Sequence, residues 1–335
     1  MVHPILLTLV VITWAFSPEE LLSLMADLEA WHEAFAKSKP ASFSDEMLFR
    51  MHNAKKVVLY LHKTNPHATF THMTPYSLTN PTDSDPIVMK AELNSVNLDL
   101  KSGLHILSSA IDWSQSSCSL PVLNQGSCNN CWAITAARAV ALANCISDGT
   151  LYHLSVQQVT SCFNDSSTSG CWGGNEGNAI NWINQQGGLC VENDYLPSAN
   201  DPEKCYTTCQ PIPLESGEAV QLSGELALES QLKRQPVAVS VAAANDVWRY
   251  YSGGIISSCP EMPSDHSVLA VGFGVQNGVK FFKLQNSWGS TWGEEGYIRV
   301  ERGVGGNGTC NVAERIVFPR IALPLHQVNE LDLMN

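Results

Sequence analysis

The distribution of cysteine is the feature that most restricts how this chain can fold. The 335 residues include 11 cysteines, and the first of them is Cys118. A first third without cysteine and a remainder rich in it indicate two regions with different roles. In an exported protein, an odd number of cysteines usually means disulfide pairs together with one free and reactive thiol. We therefore expect a disulfide-bonded body that carries one functional cysteine.

An apolar run near the amino terminus indicates export. Residues 4–16 form a stretch that is too short to span a bilayer and has the length of a signal-peptide core. We expect a signal peptide over residues 1–15, with a buried amino-terminal helix as the alternative. Because no second long apolar run occurs in the sequence, no membrane anchor is expected.

The composition argues against two classes of protein. Hydrophobic residues make up 44% of the chain and charged residues 15%, which is typical of globular domains and not of disordered chains. The net charge is −13 and no run of Lys or Arg occurs, so nucleic-acid binding is not expected. Repulsion between surface carboxylates weakens in acid, which would suit an acidic compartment.

Two helices are predicted over residues 18–65. Ser17 is placed to cap the first helix. Its apolar residues recur at helical spacing, at Leu21, Leu22, Met25, Leu28, Trp31 and Phe35. Ser44 opens the second helix, and Asn65 followed by a proline ends it. Its apolar face consists of Met47, Met51, Ala54, Val58 and Leu61. Residues 66–110 have weak periodicity and predict an extended segment and linker.

The remainder of the chain has a different pattern. A helix rich in small residues follows Cys131. Short strand-like runs come later, at residues 236–242, 267–274, 280–288 and 296–300. Helices first and strands later predict an α+β protein.

The segment QGSCNNCW, residues 125–132, places two cysteines three positions apart. A redox dithiol is one interpretation, but no thioredoxin-like parallel unit surrounds the pair. A zinc site is another, but it would need a second pair of Cys or His at matching spacing. The third is a nucleophile, Cys131, at the start of a helix, with Cys128 in a disulfide. The exposed N–H groups of a helix amino terminus favour a thiolate.

Two downstream segments decide between these interpretations. SDHSVLAVGFG, residues 264–274, contains His266, and QNSWGSTWGEEGYIRV, residues 285–300, contains Asn286. A cysteine followed far downstream by histidine and asparagine in these three segments resembles the papain family of cysteine peptidases. The resemblance extends over nearly the whole chain, from about Trp31 to Phe318.

The resemblance implies a two-domain papain-like fold with a cleft between a helical and a strand-rich domain, and a role for each site residue. Cys131 is the nucleophile. His266, as imidazolium, stabilises the thiolate and then protonates the leaving amine. Asn286 orients the imidazole. The side-chain amide of Gln125 and the backbone N–H of Cys131 form the oxyanion hole. Trp288 shields the contact between His266 and Asn286 from water.

The resemblance also implies a substrate-binding cleft. The backbone of Gly173 and Gly174 is expected to pair with the substrate like an added strand. Asp265 is included among the expected substrate-binding residues. Asn129 and Asn130 replace the usual Gly-Ser pair between the two cysteines, which predicts a narrower first pocket.

A second pocket is expected to have Arg315 at its floor. Its lining would be Asn175, Glu176, Ser240, Ser264 and Ser267. One hypothesis is that the Arg315 guanidinium pairs with an acidic substrate side chain. The alternative is that Arg315 turns to solvent or pairs with Glu176 or Glu314.

The resemblance implies how the other ten cysteines pair. Three pairs match the family, namely Cys128–Cys171, Cys162–Cys205 and Cys259–Cys310. The remaining four allow three connectivities. Their spacing resembles that of cathepsin B, which implies Cys118–Cys145 and Cys190–Cys209. The occluding loop of cathepsin B has no counterpart between Cys171 and Cys190, so an open cleft and endopeptidase activity are expected.

Residues 16–106 resemble an inhibitory prosegment, and the peptidase domain is expected over residues 107–335. Glu46, Arg50, Leu61 and Asn65 match the family's prosegment helix, while Ala54 and Val57 replace an aromatic residue and an asparagine. The prosegment is expected to run through the cleft against the direction of substrate. Acid is expected to loosen it by neutralising carboxylates such as Glu46.

The sequence therefore predicts a cysteine endopeptidase that is made as an autoinhibited precursor. Its partners would be protein or peptide substrates and its own prosegment, and no cofactor or metal is implied. A secreted, inactive protease-like binding protein is the alternative, although such proteins typically replace the Cys or the His. The expected location is lysosomal, vacuolar or extracellular, and the sequons at Asn164 and Asn307 predict glycosylation.

Overall fold

The structure is a computed structural model that describes residues 16–36, 40, 42–79, 110–165, 168–195, 204–206 and 209–321. The predicted signal peptide and the predicted start of the peptidase domain near residue 107 lie outside the described residues.

The helices and strands are named in chain order. The helices are α1 (Pro18–Phe35), α2 (Asp45–Thr64), α3 (Cys131–Asp148), α4 (Val156–Cys162), α5 (Glu176–Gln185), α6 (Glu225–Leu232) and α7 (Asp246–Arg249). The strands are β1 (Ala68–Phe70), β2 (Ile111–Asp112), β3 (Asn164–Asp165), β4 (Thr168–Ser169), β5 (Gly188–Leu189), β6 (Ile212–Pro213), β7 (Ser216–Leu222), β8 (Val237–Val241), β9 (Tyr251–Ile256), β10 (His266–Gln276), β11 (Val279–Gln285), β12 (Tyr297–Glu301) and β13 (Ile316–Ile321).

Helices α1 and α2 form a hairpin at the start of the described chain. Ser17 and Glu20 cap α1 reciprocally, and the Ser44 side chain caps α2. Leu24 and Leu28 of α1 pack against Leu48 and Met51 of α2 in a small hydrophobic core that is separate from the main one. The predicted face of α1 is wrong for Leu22 and Met25, which are 70% and 43% exposed, because this small core covers only a narrow apolar stripe of the helix.

The other side of α2 packs on the body of the protein. Ala54, Val58 and Leu61 belong to the same hydrophobic core as the strands of the main sheet. Strand β1 then pairs antiparallel with β9. Helix α2 and strand β1 are thus joined to the body both by apolar burial and by a strand pair.

The main sheet has the order β1-β9-β12-β11-β10-β8-β13-β7, and β2 adds to β10. Its neighbours are antiparallel, apart from the parallel pair of β9 and β12. Helix α3 lies between this sheet and the shorter helices, and it is buried on all sides from Cys131 to Cys145. Its many alanines permit that close packing. The predicted α+β class is confirmed.

Five disulfides tie the body together, and they are the pairs that the family resemblance implies. They are Cys118–Cys145, Cys128–Cys171, Cys162–Cys205, Cys190–Cys209 and Cys259–Cys310. Cys131 is the free cysteine, and it is buried.

Candidate active site

Cys131 is the first residue of α3, so its thiol lies at a helix amino terminus. The preceding Asn130 makes no side-chain cap. Its amide instead donates to Thr160 Oγ1 at 3.1 Å, away from the helix start. The backbone N–H groups of Trp132 and Ser267 favour the Cys131 thiolate and oppose the effect of burial on the pKa of this thiol. Ser267 directly follows His266 in β10, so the start of this strand lies near the thiol.

His266 and Asn286 meet because two neighbouring strands end beside each other. His266 is the first residue of β10, and Asn286 directly follows β11, whose last residue, Gln285, pairs with Leu269. The distance from His266 Nε2 to Asn286 Oδ1 is 2.8 Å. The backbone N–H of Ser287 also donates to Asn286 Oδ1, at 2.8 Å, which fixes the amide.

Trp288 covers the contact between His266 and Asn286. Its indole stacks on the His266 ring at a centroid distance of 5.2 Å and an interplanar angle of 29°. Trp248 meets His266 edge-on, at 6.3 Å. His266 and Asn286 are both buried under these rings.

Burial controls the charge of both groups in the full-length chain. Cys131 is 1% exposed, and burial raises the pKa of its thiol to about 12. Burial lowers the pKa of His266 to about 4, although the hydrogen bond that its ring donates to Asn286 Oδ1 opposes this shift. A helix amino terminus favours the thiolate, but here desolvation outweighs it. The neutral thiol and neutral imidazole are therefore the stable forms at neutral pH.

The side chain of Gln125 is held in place beside Cys128. Its Oε1 accepts from Ser287 Oγ at 2.5 Å, and its Nε2 donates to the carbonyl of Cys128 at 3.0 Å. A primary amide has two N–H groups, so one remains for an oxyanion. Ser287, which the sequence did not single out, thus orients Gln125.

The glycine pair has a structural reason as well as the expected role in binding. A Cβ atom on Gly174 would lie 2.6 Å from the Trp132 ring and 2.4 Å from the Thr168 methyl group. Gly173 has φ +107°, which favours glycine. The neighbouring Trp172 is 80% exposed.

Arg315 pairs with Glu176 inside the protein. Arg315 Nη2 lies 2.5 Å from Glu176 Oε2, and Ser240 Oγ donates to Glu176 Oε1 at 3.3 Å. Glu176 is fully buried. The structure therefore contains the internal ion pair with Glu176, which was the alternative to pairing of Arg315 with an acidic substrate side chain. Ser264 Oγ donates to Glu314.

Other expected pocket residues also bind within the protein. Asn175 Oδ1 accepts from the backbone N–H of Asn178 and caps α5. The Ser267 hydroxyl is 2.8 Å from Thr135 Oγ1. The carboxylate of Asp265 accepts the backbone N–H groups of Ala243 and Ala244. These side chains shape the site through the backbone that they hold.

Arg138 is a buried site residue that the sequence analysis missed. Its Nη1 donates at 2.7 Å to Gln285 Oε1, and Gln285 directly precedes Asn286. A single cation in an otherwise apolar and small-residue helix was the available signal.

Comparisons with known proteins identify the family of this chain. The model of the papain family of cysteine proteases matches residues 107–320. Germination-specific cysteine protease 1 of Arabidopsis thaliana is 36% identical over 214 residues, covering 62% of this chain and 56% of that protein. Oryzain beta chain of Oryza sativa subsp. japonica is 34% identical, covering 65% of this chain and 47% of that protein. The matched part spans about half the length of these two relatives.

Solved structures are also similar. Bromelain of Ananas comosus in an inhibitor complex is 31% identical with a TM-score of 0.59, covering 64% of this chain and 99% of that chain. Digestive procathepsin L 3 of Tenebrio molitor larval midgut is 26% identical with a TM-score of 0.72, covering 89% of this chain and 99% of that chain. Among the described residues, no helix is long and apolar enough to cross a membrane. The fold is papain-like, and the chain belongs to the papain family of cysteine proteases.

Proposed function

We propose that this chain is the precursor of a cysteine endopeptidase. Its nucleophile is Cys131, its acid–base residue is His266 and its orienting residue is Asn286. The observation that carries the proposal is the 2.8 Å bond between His266 and Asn286, buried under Trp288, together with the free thiol of Cys131 at the amino terminus of α3. An inactive binding protein has no need of this arrangement.

The chemistry begins with transfer of the Cys131 proton to His266. The thiolate attacks the carbonyl carbon of the peptide bond, and a C–S bond forms. The oxyanion lies between the Cys131 backbone N–H and the Gln125 amide, a contribution of about 3 kcal/mol for each donor. The imidazolium of His266 protonates the leaving amine as the C–N bond breaks. Water then hydrolyses the thioester, with His266 as the base, and restores the thiol.

The prosegment is proposed as the inhibitor of this site. Asn65 Oδ1 accepts the N–H groups of Ser257 and Ser258 in the body, at 2.9 and 2.8 Å. Arg249 of the body donates to the carbonyls of Tyr76 and Thr79, at 3.2 and 2.8 Å. These contacts lead the chain toward the cleft, where we propose that it runs against the direction of substrate.

Acid is proposed to release the prosegment. Glu46 pairs with Arg50 at 2.5 Å but is 71% exposed, so this pair contributes little. Asp27 is better placed, because it bridges Lys55 of α2 at 2.6 Å and His72 at 3.5 Å. The bridge between Asp27 and Lys55 is therefore an ion pair whose loss would weaken the contact between α1 and α2.

The substrates are proposed to be proteins or peptides bound in an open cleft. The pocket at Arg315 is proposed to be electrically neutral, since Glu176 already balances the guanidinium. Uncharged side chains should therefore be preferred at the second residue before the scissile bond, in place of acidic ones. The substrate backbone is proposed to pair with Gly173 and Gly174.

A secreted, lysosomal or vacuolar location is proposed, with a signal peptide over residues 1–15. Asn307 and Asn164 are exposed, as glycan acceptors must be. Mass spectrometry of the protein from its native host, with and without a glycosidase, tests their occupancy.

A covalent probe tests the proposed activity. The full-length chain is incubated at acidic pH with an epoxide directed at cysteine peptidases, and its peptides are mapped by mass spectrometry. The expected result is modification of Cys131 in a trimmed product, with none in a His266→Ala control. Modification that is equally fast in the control would contradict the proposed mechanism.

A further inference from the structure

Arg138 lies inside the protein, behind the active site, and the proposed chemistry does not use it. Its Nη1 donates to Gln285 Oε1, and its Nη2 donates to the carbonyl of Pro121. Burial lowers the pKa of its guanidinium to about 10. Burial of a cation against neutral acceptors is costly to a fold. Its presence in the interior therefore needs a reason other than stability.

Gln285 connects Arg138 to the catalytic residues. It is the last residue of β11 and directly precedes Asn286. Its Nε2 donates to the carbonyl of Leu120 at 2.9 Å and to the hydroxyl of Tyr297 at 3.0 Å. With Arg138 on its oxygen, the Gln285 amide is held on both sides. The end of the strand that carries Asn286 is therefore fixed from within the protein.

A small cavity lies between Arg138 and Asn286, and Thr135 and Ser267 also line it. The volume of the cavity that a water centre can occupy is about 10 Å³, so the cavity has room for one water molecule. Arg138 Nε and Asn286 Nδ2 are both buried, and neither has a partner among the residues that the structure describes. The paired hydroxyls of Thr135 and Ser267 supply further polar atoms.

The orientation of the Asn286 amide matters for catalysis. Its Oδ1 accepts from His266 and from the Ser287 N–H, so a flipped amide would turn its NH₂ group toward these two donors. An acceptor on Nδ2 would favour the correct orientation. A water that accepts from Asn286 Nδ2 and from Arg138 Nε satisfies both buried donors at once.

We propose that Arg138 is a positioning residue. Through Gln285 and one internal water in this cavity, it holds the Asn286 amide in the orientation in which Oδ1 accepts the hydrogen bond from His266. The water site is a property of the fold. The kinetic consequence rests on the proposed peptidase function.

The kinetic test uses Arg138→Met in the full-length chain after processing in acid, with rates expressed per titrated thiol. The expected result is a fall in kcat of about tenfold, with KM changed less than about twofold, because the imidazole and not the substrate is misplaced. The alkaline limb of the kcat/KM profile should also move to lower pH. The imidazolium loses its hydrogen-bond acceptor, which favours the neutral ring.

The direction of that limb separates positioning from charge. Removal of a nearby positive charge would by itself favour the imidazolium and move the alkaline limb to higher pH. An upward shift, or an unchanged limb and kcat, would overturn the proposal.

Arg302→Met is the matched control. Arg302 is also a largely buried arginine, but it pairs with Glu229 and packs on Phe273, away from the site. Its replacement should lower stability and leave kcat per titrated thiol and the pH profile unchanged. A pH shift in this variant equal to that of Arg138→Met would overturn the proposal.

A crystal structure of the wild-type chain at high resolution tests the water directly and does not depend on the folding of any variant. The expected result is one ordered water within hydrogen-bond distance of Arg138 Nε and Asn286 Nδ2. An empty cavity would overturn the proposal even if the peptidase is active. A wild-type chain that is inactive but contains the water would contradict the proposed function and leave the water site standing.

Discussion

The ring of Tyr76 packs against the ring of Trp288, with 5.0 Å between their centroids. Trp288 in turn stacks on His266, so a single indole ring lies between Tyr76 of the prosegment and the catalytic imidazole. Burial also raises the pKa of Tyr76 to about 12. The described part of the prosegment is thus anchored at the side of the site where Asn286 holds the imidazole.

Tyr76→Ala should weaken inhibition by the prosegment. An aromatic pair contributes about 0.5–1.5 kcal/mol beyond the area that it buries, so residual activity at neutral pH should rise up to about tenfold. The measurement is peptide hydrolysis by freshly purified, unprocessed chain. Tyr60→Ala is the control, since Tyr60 lies in the same prosegment but is 64% exposed. Equal activity of the two variants would refute a role for the contact with Trp288.

Asn65→Ala should make the precursor easier to process. The change leaves the N–H groups of Ser257 and Ser258 without their acceptor, at a cost of about 1–3 kcal/mol. Processing followed on gels should reach its midpoint at a higher pH than in wild type. Asn65→Asp keeps the acceptor oxygens and should remain close to wild type. No difference between Asn65→Ala and wild type would show that this contact does not hold the prosegment.

The Cys131 thiol should be much less reactive at neutral pH before trimming than after it. In the precursor the thiol has its pKa near 12 and His266 near 4, so both are neutral between these values and little thiolate exists at pH 7. Alkylation by iodoacetamide should then be at least about 100-fold slower than in the trimmed enzyme, and it should accelerate only at strongly alkaline pH. Equal rates at pH 7 would show that the full-length chain does not bury the thiol.

Glu176→Gln should destabilise the protein and change its specificity. The substitution leaves the buried Arg315 without its counter-ion, which should lower the free energy of unfolding by about 3–5 kcal/mol. The measurement is urea unfolding of the full-length chain. Loss of the Glu176 carboxylate should also increase cleavage of substrates with Asp or Glu at the second residue before the scissile bond. The double variant with Arg315→Met should recover stability, and a single variant as stable as wild type would contradict the buried pair.

Much of the fold could be predicted because local signals agree with it. Ser44 and Asn65 bound α2 as the capping pattern predicts, and the run at 267–274 lies within β10. Strand β9 was missed because it contains Gly253 and Gly254, which usually mark a turn. The structure explains Gly254, since its φ is +78° and a Cβ there would lie 2.3 Å from the carbonyl of His67.

Strand β13 was missed for a related reason. Pro319 lies within it, and proline lacks the N–H that a strand interior needs. Here the pairing with β7 is irregular at that point, between Pro319 and Ile321. The Pro319 carbonyl still accepts from the Gln235 side chain.

The site was predictable where a motif carries it and not where tertiary contacts do. Cys131, His266 and Asn286 lie in segments with a family pattern, so their residue types indicated the chemistry. The partner of Arg315 could not be chosen from sequence, since Glu176 and Glu314 are both compatible with it. The partners of Arg138 could not be predicted either, because its acceptors, Gln285 and the carbonyl of Pro121, are brought to it only by folding.

The most direct test of the account is the rate of peptide hydrolysis by the full-length chain before and after acid treatment, beside a Cys131→Ala variant treated identically. The account predicts little activity before treatment, a large rise as the prosegment is removed, and no activity at any stage in the Cys131→Ala protein. Hydrolysis that persists in the Cys131→Ala variant, or full activity of the untrimmed wild-type chain at neutral pH, would contradict it.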